Sequence, residues 1–226
     1  MKKNIYFYDK NEVLLDRYPA SIANEMVKKE GVNNFNFIFI QSEYFKKGQL
    51  PKKVPKNSKV YFNPFLNPSK IDPIIKEYPP HAFICIGLRI PDILLICYFK
   101  RLNVNTYMVQ HGLFVKHLTR IPFIYHLASK FSQFRKYFIY SYHISKIIVK
   151  PFYPTVKDLF SFFIGGNGKF SDLPSLKSTN LISTNVFAFD NLWNEYYFNY
   201  GYKQSQFVYF GNPDYSLVHE VLRNDL

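Results

Sequence analysis

Apolar residues fall into short β-like runs that alternate with stretches of helical spacing, and the rhythm begins at once. Asn4 to Tyr8 predicts a strand ending at Asp9-Lys10, and Tyr18 to Lys29 predicts a helix that stops at Gly31. Phe35 to Ile40 predicts a second strand, followed by a basic loop from Lys46 to Ser58, a short strand from Lys59 to Phe62 and a helix from Pro68 to Tyr78. Either Asn67 or Ser69 is placed to cap that helix, and Pro79-Pro80 ends it. Ala82 to Ile86, closed by Gly87, is a continuous apolar run of the kind buried on both faces of a parallel sheet. Pro91 to Leu102 carries Lys100 and Arg101 in its last turn, where cations favour the helix dipole, and Asn105 to Val109 is the next strand.

Beyond Val109, apolar residues at steps of three and four from Ile121 to Lys150 predict one long amphipathic helix or two. The Gly165-Gly166-Asn167-Gly168 stretch reads as a surface loop and lacks the spacing of a phosphate-binding glycine motif. Asn180 to Phe189 is strand-like, Asp190 to Tyr200 a helix capped by Asp190 and ended by Gly201, and Phe207 to Phe210 the last strand. A helix from Tyr215 to Arg223 follows. The alternation predicts an α/β fold of the doubly wound type, a mostly parallel sheet with helices on both faces and right-handed crossovers.

In such sheets ligands sit outside the carboxyl ends of the strands, which singles out particular residues. They are Asp9, Gly87, Arg89, Gln110, His111 and the Asn212–Asp214 turn. His111 has an imidazole that can take a proton from a hydroxyl near neutral pH, and Gly112 leaves it room; a structural, capping histidine is the alternative. Asp9 either orients an imidazole or binds a sugar hydroxyl, or is a turn residue or helix cap. Arg89 either offers a bidentate fork to phosphate or carboxylate or is a solvated residue before Pro91. No metal is expected, because the six His and two Cys show no ligand spacing. Nor is there a serine nucleophile elbow.

Composition narrows the class further. With 47% hydrophobic and 19% aromatic residues over 226 positions, the chain has enough apolar material for a core, which excludes a disordered polar chain. The two cysteines, Cys85 and Cys97, lie in apolar runs as free thiols, pointing to a reducing, cytoplasmic setting. No secretory signal is visible, and Ile84 to Tyr98, interrupted by Arg89, Pro91 and Asp92, falls short of the roughly 20 apolar residues a membrane span needs. Lys and Arg total 29 against 16 acidic residues, a net charge of +13 that suggests an anionic partner. The excess concentrates in Lys116 to Lys157. Either this region lies on an anionic inner-membrane surface or its apolar stripe packs on the sheet with the cations solvated. No nucleic-acid-binding motif is present.

Tyr107-Met108-Val109-Gln110-His111-Gly112-Leu113-Phe114, then Asp190 to Gly201 with Trp193, then Phe207 to Pro213 with its Gly211-Asn212-Pro213 end, resemble bacterial surface-polysaccharide glycosyltransferases of the GT-B fold. The group is similar to capsule transferases and to polyol-phosphate transferases of teichoic acid synthesis. The resemblance covers the second half of the chain, and the first half only in its βα rhythm. It implies that this Rossmann-like unit is the N-terminal, acceptor-binding half of an inverting enzyme, with His111 as the base. Asp9, Arg89, Gln110, Gly112 and Asn212 would contact substrate. It further implies a glycan or glycolipid acceptor, a nucleotide-sugar donor held by a C-terminal domain expected to be missing from this chain, no other cofactor, and capsule or lipopolysaccharide as the product. A CDP-glycerol-type transferase and a non-catalytic membrane- or polyanion-binding module are the alternatives.

Overall fold

The computed structural model describes residues 2–87, 89–110, 139–140, 142–143, 146, 182–192, 194–198 and 201–209. Among them are seven strands, β1 (Lys3–Tyr8), β2 (Phe35–Gln41), β3 (Ser58–Phe62), β4 (Ala82–Cys85), β5 (Asn105–Val109), β6 (Asn185–Ala188) and β7 (Phe207–Tyr209). Four α-helices, α1 (Glu12–Glu30), α2 (Pro68–Glu77), α3 (Ile90–Arg101) and α4 (Asn194–Phe198), join them. The strands form one parallel sheet in the order β3-β2-β1-β4-β5-β6-β7. The chain builds outward in one direction from β1, returns, and builds outward in the other from β4. This is the doubly wound, Rossmann-like arrangement, and its direction reverses between β1 and β4.

The pleat of β1 and β2 sorts their aromatic residues into two layers. Ile5, Phe7, Phe35, Phe37 and Phe39 point to the face covered by α1 and bury Leu15 and Ala23 against them. Phe7 stacks on Phe39 with ring centroids 5.0 Å apart. Tyr6, Tyr8, Ile38 and Ile40 point to the opposite face, with Ile71 of α2, Leu94 to Phe99 of α3 and Tyr197 of α4. There Phe99 stacks on Phe83 at 4.5 Å and meets Tyr6 at 5.1 Å. Helices thus cover both faces, as right-handed crossovers to opposite sides of β1 and β4 require.

Two sequence expectations are corrected. α1 begins at Glu12 and not near Tyr18: Asn11 caps it, its Oδ1 accepting from the Leu14 N–H at 3.1 Å, and Pro19 lies inside the helix. A proline eight positions into a helix resembles a first-turn residue, so Tyr18-Pro19 looks like a start. The β4 strand is also not buried on both faces. Phe83 and Cys85 are buried under α3, whereas Ala82 and Ile84 are only half-buried, although Tyr18 and Ile22 of α1 pack with Ile84, Ile86 and Val109. Asn67 rather than Ser69 caps α2, its Oδ1 accepting from the Ser69 N–H at 3.0 Å. α1 ends at Gly31, whose φ of 85° a side chain would strain.

The loop between β2 and β3 is fastened to α1 by carboxylates. Glu12, 1% exposed, accepts from the backbone N–H groups of Phe45 and Lys46 at 2.9–3.1 Å. One turn later Asp16 accepts from those of Lys52 and Lys53 at 2.9 and 2.7 Å. At the other end of the sheet, Thr106 and Thr184 exchange backbone-to-hydroxyl bonds of 3.2 and 3.0 Å that set β6 beside β5. No helix among the described residues is long and apolar enough to cross a membrane.

Candidate functional site

The carboxyl ends of β1 and β4 flank the point where the winding reverses, and a buried polar group gathers there. Asp9, directly after β1, is 2% exposed. Arg89 leads into α3, and Asp92, in the first turn of that helix, is fully buried. Arg89 donates from Nε to Asp92 Oδ2 at 2.7 Å, and from Nη2 to Asp92 Oδ1 at 3.0 Å and to Asp9 Oδ1 at 2.9 Å. Asp92 Oδ2 also accepts the backbone N–H of Arg89 at 2.8 Å, which caps α3, and Asp9 Oδ1 accepts that of Lys10 at 2.7 Å. The guanidinium lies 5.9 Å from the centroid of the Tyr8 ring.

Burial works against the charge on Arg89, but Asp92 and Asp9 outweigh it and hold the guanidinium protonated well above its ordinary range. Burial pushes the Asp92 carboxyl up, against the pull of Arg89, and the Asp9 carboxylate adds to the rise. Beside the pair, the Tyr8 hydroxyl lies 3.0 Å from Ser42 Oγ at the end of β2, and burial raises Tyr8 well above the usual phenol value. Burial also pushes Tyr140 up to about 12, with the Glu43 carboxylate adding to the rise and the Ser42 hydroxyl opposing it. Gln41, fully buried at the end of β2, has no hydrogen-bond partner among the described residues for either side-chain amide atom. Two carboxylates thus face one guanidinium, and their surroundings are phenolic and hydroxylic.

Asp9 and Arg89, expected separately at this edge, are brought together 80 positions apart in the chain. The fork of Arg89 takes a carboxylate, as its chemistry suggests, but one of its own chain. Gln110 follows β5 and is fully buried. Its N–H donates to the Phe187 carbonyl at 2.9 Å and its Oε1 accepts from the Phe189 N–H at 3.0 Å, so it ties the end of β5 to the end of β6. His111, Gly112 and Asn212 lie outside the described residues, as do Trp193 and most of Lys116 to Lys157. Tyr8, Ser42 and Asp92 were not anticipated. A proline-aspartate pair right after Arg89-Ile90 was the available signal, since an acidic side chain at the third helical position reaches back to the cap. Among the described residues no cluster of three or more His, Cys, Asp or Glu could hold a metal ion.

No family model and no curated protein matches the chain. Among solved structures it is similar to a short-chain dehydrogenase/reductase from Veillonella parvula DSM 2008 at 12% identity, covering 83% of this chain and 68% of that one with a TM-score of 0.39. The same comparison with the NADP complex of a short-chain dehydrogenase/reductase from that organism gives 11% identity, the same coverages and a TM-score of 0.37. A dTDP-glucose 4,6-dehydratase from Bacillus anthracis str. Ames in complex with NAD is 10% identical, over 93% of this chain and 85% of that one, with a TM-score of 0.39.

Doubly wound sheets often cradle a dinucleotide pyrophosphate on glycine-rich backbone between the first strand and its helix. The residues here do not fit one. The turn reads Tyr8-Asp9-Lys10-Asn11-Glu12 without a glycine, Asn11 already caps the helix, and the buried Glu12 carboxylate occupies its first turn.

Proposed function

We propose that the chain is the acceptor-binding part of an inverting glycosyltransferase that uses a nucleotide-activated sugar to build a bacterial surface polysaccharide. The observation that carries this reading is the end of β5. Gln110, buried and bonded to β6, marks the carboxyl edge of an inner strand, and the sequence continues there directly into His111-Gly112. Doubly wound folds handle their ligands in the crevice outside such an edge, and this reading assigns the base to the residue that follows it in sequence. The Asp9–Arg89–Asp92 group supports the same reading, because the two buried carboxylates hold Arg89 at the same edge with a third of its side chain exposed, where it can donate to an acceptor oxygen. In this reading the acceptor hydroxyl loses its proton to His111 as its oxygen attacks the anomeric carbon, and the nucleotide leaves with the electrons of the broken glycosyl bond. The donor is held by a second domain of the enzyme.

The test is His111→Ala in the full-length enzyme, assayed for transfer from nucleotide-sugar donors. Removal of a general base lowers turnover by about 10²-fold or more, while acceptor binding changes little. Turnover near that of the parent enzyme refutes the reading. So does a loss confined to acceptor affinity, which makes His111 a contact residue.

A further inference from the structure

A second concave site lies away from the strand ends, between α2, α3 and the helical residues Tyr142, His143 and Lys146. It is a cleft of about 550 Å³, bordered by Asn67 and Ser69 at the start of α2, Asp72 one turn on, Tyr98 and Arg101 near the end of α3, and those three side chains. That volume is within the range of small-molecule sites. Two exposed cations converge on it from separate parts of the chain. Among the described residues no carboxylate lies within ion-pair distance of Arg101 or Lys146.

The other walls have complementary chemistry. Tyr142 is 56% exposed, with the Lys146 ammonium 4.5 Å from its ring centroid, and offers an aromatic face beside a positive charge. Asp72 accepts from the Tyr98 hydroxyl through one oxygen and keeps the other for a ligand hydroxyl. Burial and the neighbouring Lys146 hold the His143 imidazole below its usual pKa, so it enters the cleft as a neutral donor and acceptor. Phosphate needs fixed cations, and a sugar ring needs an aromatic face with carboxylate and hydroxyl partners at its edge. Both sets occur here, Arg101 beside Tyr98 on α3 and Lys146 over Tyr142 on the facing wall.

We propose that this cleft binds a small phosphorylated sugar, with its phosphate between Arg101 and Lys146, its ring against Tyr142 and its hydroxyls on Asp72 and Ser69. The proposal does not depend on the glycosyltransferase reading, since none of these residues belongs to the strand-end group.

The test is calorimetric titration of the whole protein at low salt with glucose 1-phosphate, inorganic phosphate and glucose. Glucose 1-phosphate is expected to bind several-fold more tightly than inorganic phosphate, and neutral glucose not measurably. Arg101→Met and Lys146→Met should each weaken glucose 1-phosphate about tenfold, the loss of one charge-assisted contact. Lys76→Met, at the far end of α2, should leave it unchanged. A measurement on the parent protein avoids any folding defect of the variants: glucose 1-phosphate should slow acylation of Lys146 by a water-soluble succinimidyl ester, read by mass spectrometry. Absence of saturable binding, unprotected Lys146, or variants that bind like the parent overturns the site. Equal affinity for inorganic phosphate and glucose 1-phosphate overturns the sugar assignment.

Discussion

Replacing Arg89 with methionine keeps an unbranched apolar stem and deletes the charge that three side-chain hydrogen bonds share between Asp9 and Asp92. Breaking a buried ion pair from one side costs about 3–5 kcal/mol, because the remaining charge stays buried without its partner. Arg89 is one-third exposed, and each carboxylate keeps one backbone N–H, so the lower end applies, about 3 kcal/mol. With a urea slope of about 2–3 kcal/mol per molar, the midpoint of unfolding falls by about 1–1.5 M, followed by circular dichroism. The pH dependence supplies an independent check. Burial already raises the Asp92 carboxyl, and without Arg89 it rises further, so the folded variant binds a proton more tightly than its unfolded chain. The deficit relative to the parent therefore narrows as pH is lowered from 7 toward 5. Arg89→Lys, which cannot span both carboxylates, should recover only part of the loss. An Arg89→Met midpoint within the error of the parent at pH 7, or a gap that widens on acidification, refutes the account of this group.

Glu12 departs from its ordinary value in the opposite direction. Burial raises its carboxyl, but the N–H groups of Lys46, Phe45 and Glu12 itself outweigh that and leave it below the ordinary 4.5. Its contribution is complete above about 4.5 and is lost as pH falls through the lower folded value, so Glu12→Gln should destabilise at pH 7 and converge with the parent below that window; parallel denaturation curves across it would count against the loop clasp. Both thiols are buried, and burial pushes Cys85 well up and Cys97 up to about 12, so native protein at pH 8 should react slowly with an aromatic disulfide reagent and quickly in urea. Rapid native labelling of either cysteine would contradict the packing of α3 on β4. Phe83→Ala empties a site closed by Phe99 and should cost about 3–5 kcal/mol by urea unfolding; a loss below about 1 kcal/mol would show that the core readily collapses around it.

The strands were legible because their residues leave little choice. Phe35, Phe37 and Phe39 alternate with Asn36, Ile38 and Ile40, and such runs bury an aromatic layer only as a strand. Helix starts were less legible. Asn11 carries a cap signal, but Pro19 a little further on carries a stronger-looking one, and the choice between them depends on whether the intervening Leu15 has a sheet to pack on. The half-exposed side of β4 was hidden for a related reason. Ala82 and Ile84 are apolar whichever layer they meet, and how completely α1 covers them depends on the tertiary packing that brings Tyr18 and Ile22 to Ile84.

Individual site residues were visible through the strand-end rule, but their partners were not, because pairing across 80 positions is a property of the closed sheet. The consequence is chemical. As isolated residues, Arg89 looks like a receptor for phosphate and Asp9 like a ligand for a sugar hydroxyl. Together with Asp92 they form a group of two carboxylates and one guanidinium, whose net negative charge disfavours an anion where the winding reverses. A neutral hydroxyl meets no such penalty there, and the phenols of Tyr8 and Tyr140, both buried and held protonated, add no charge to the group. The cations of the second cleft, Arg101 and Lys146, which meet no carboxylate among the described residues, present the reverse field. The two proposals thus call for opposite ligand chemistry, a neutral hydroxyl at the β1–β4 edge and a phosphate between α2 and α3. Neutralising the group at the β1–β4 edge with Asp9→Asn, which removes one negative charge, should alter acceptor binding without changing the affinity of the α2–α3 cleft for glucose 1-phosphate. If that affinity moved in parallel, the two sites would have to be one.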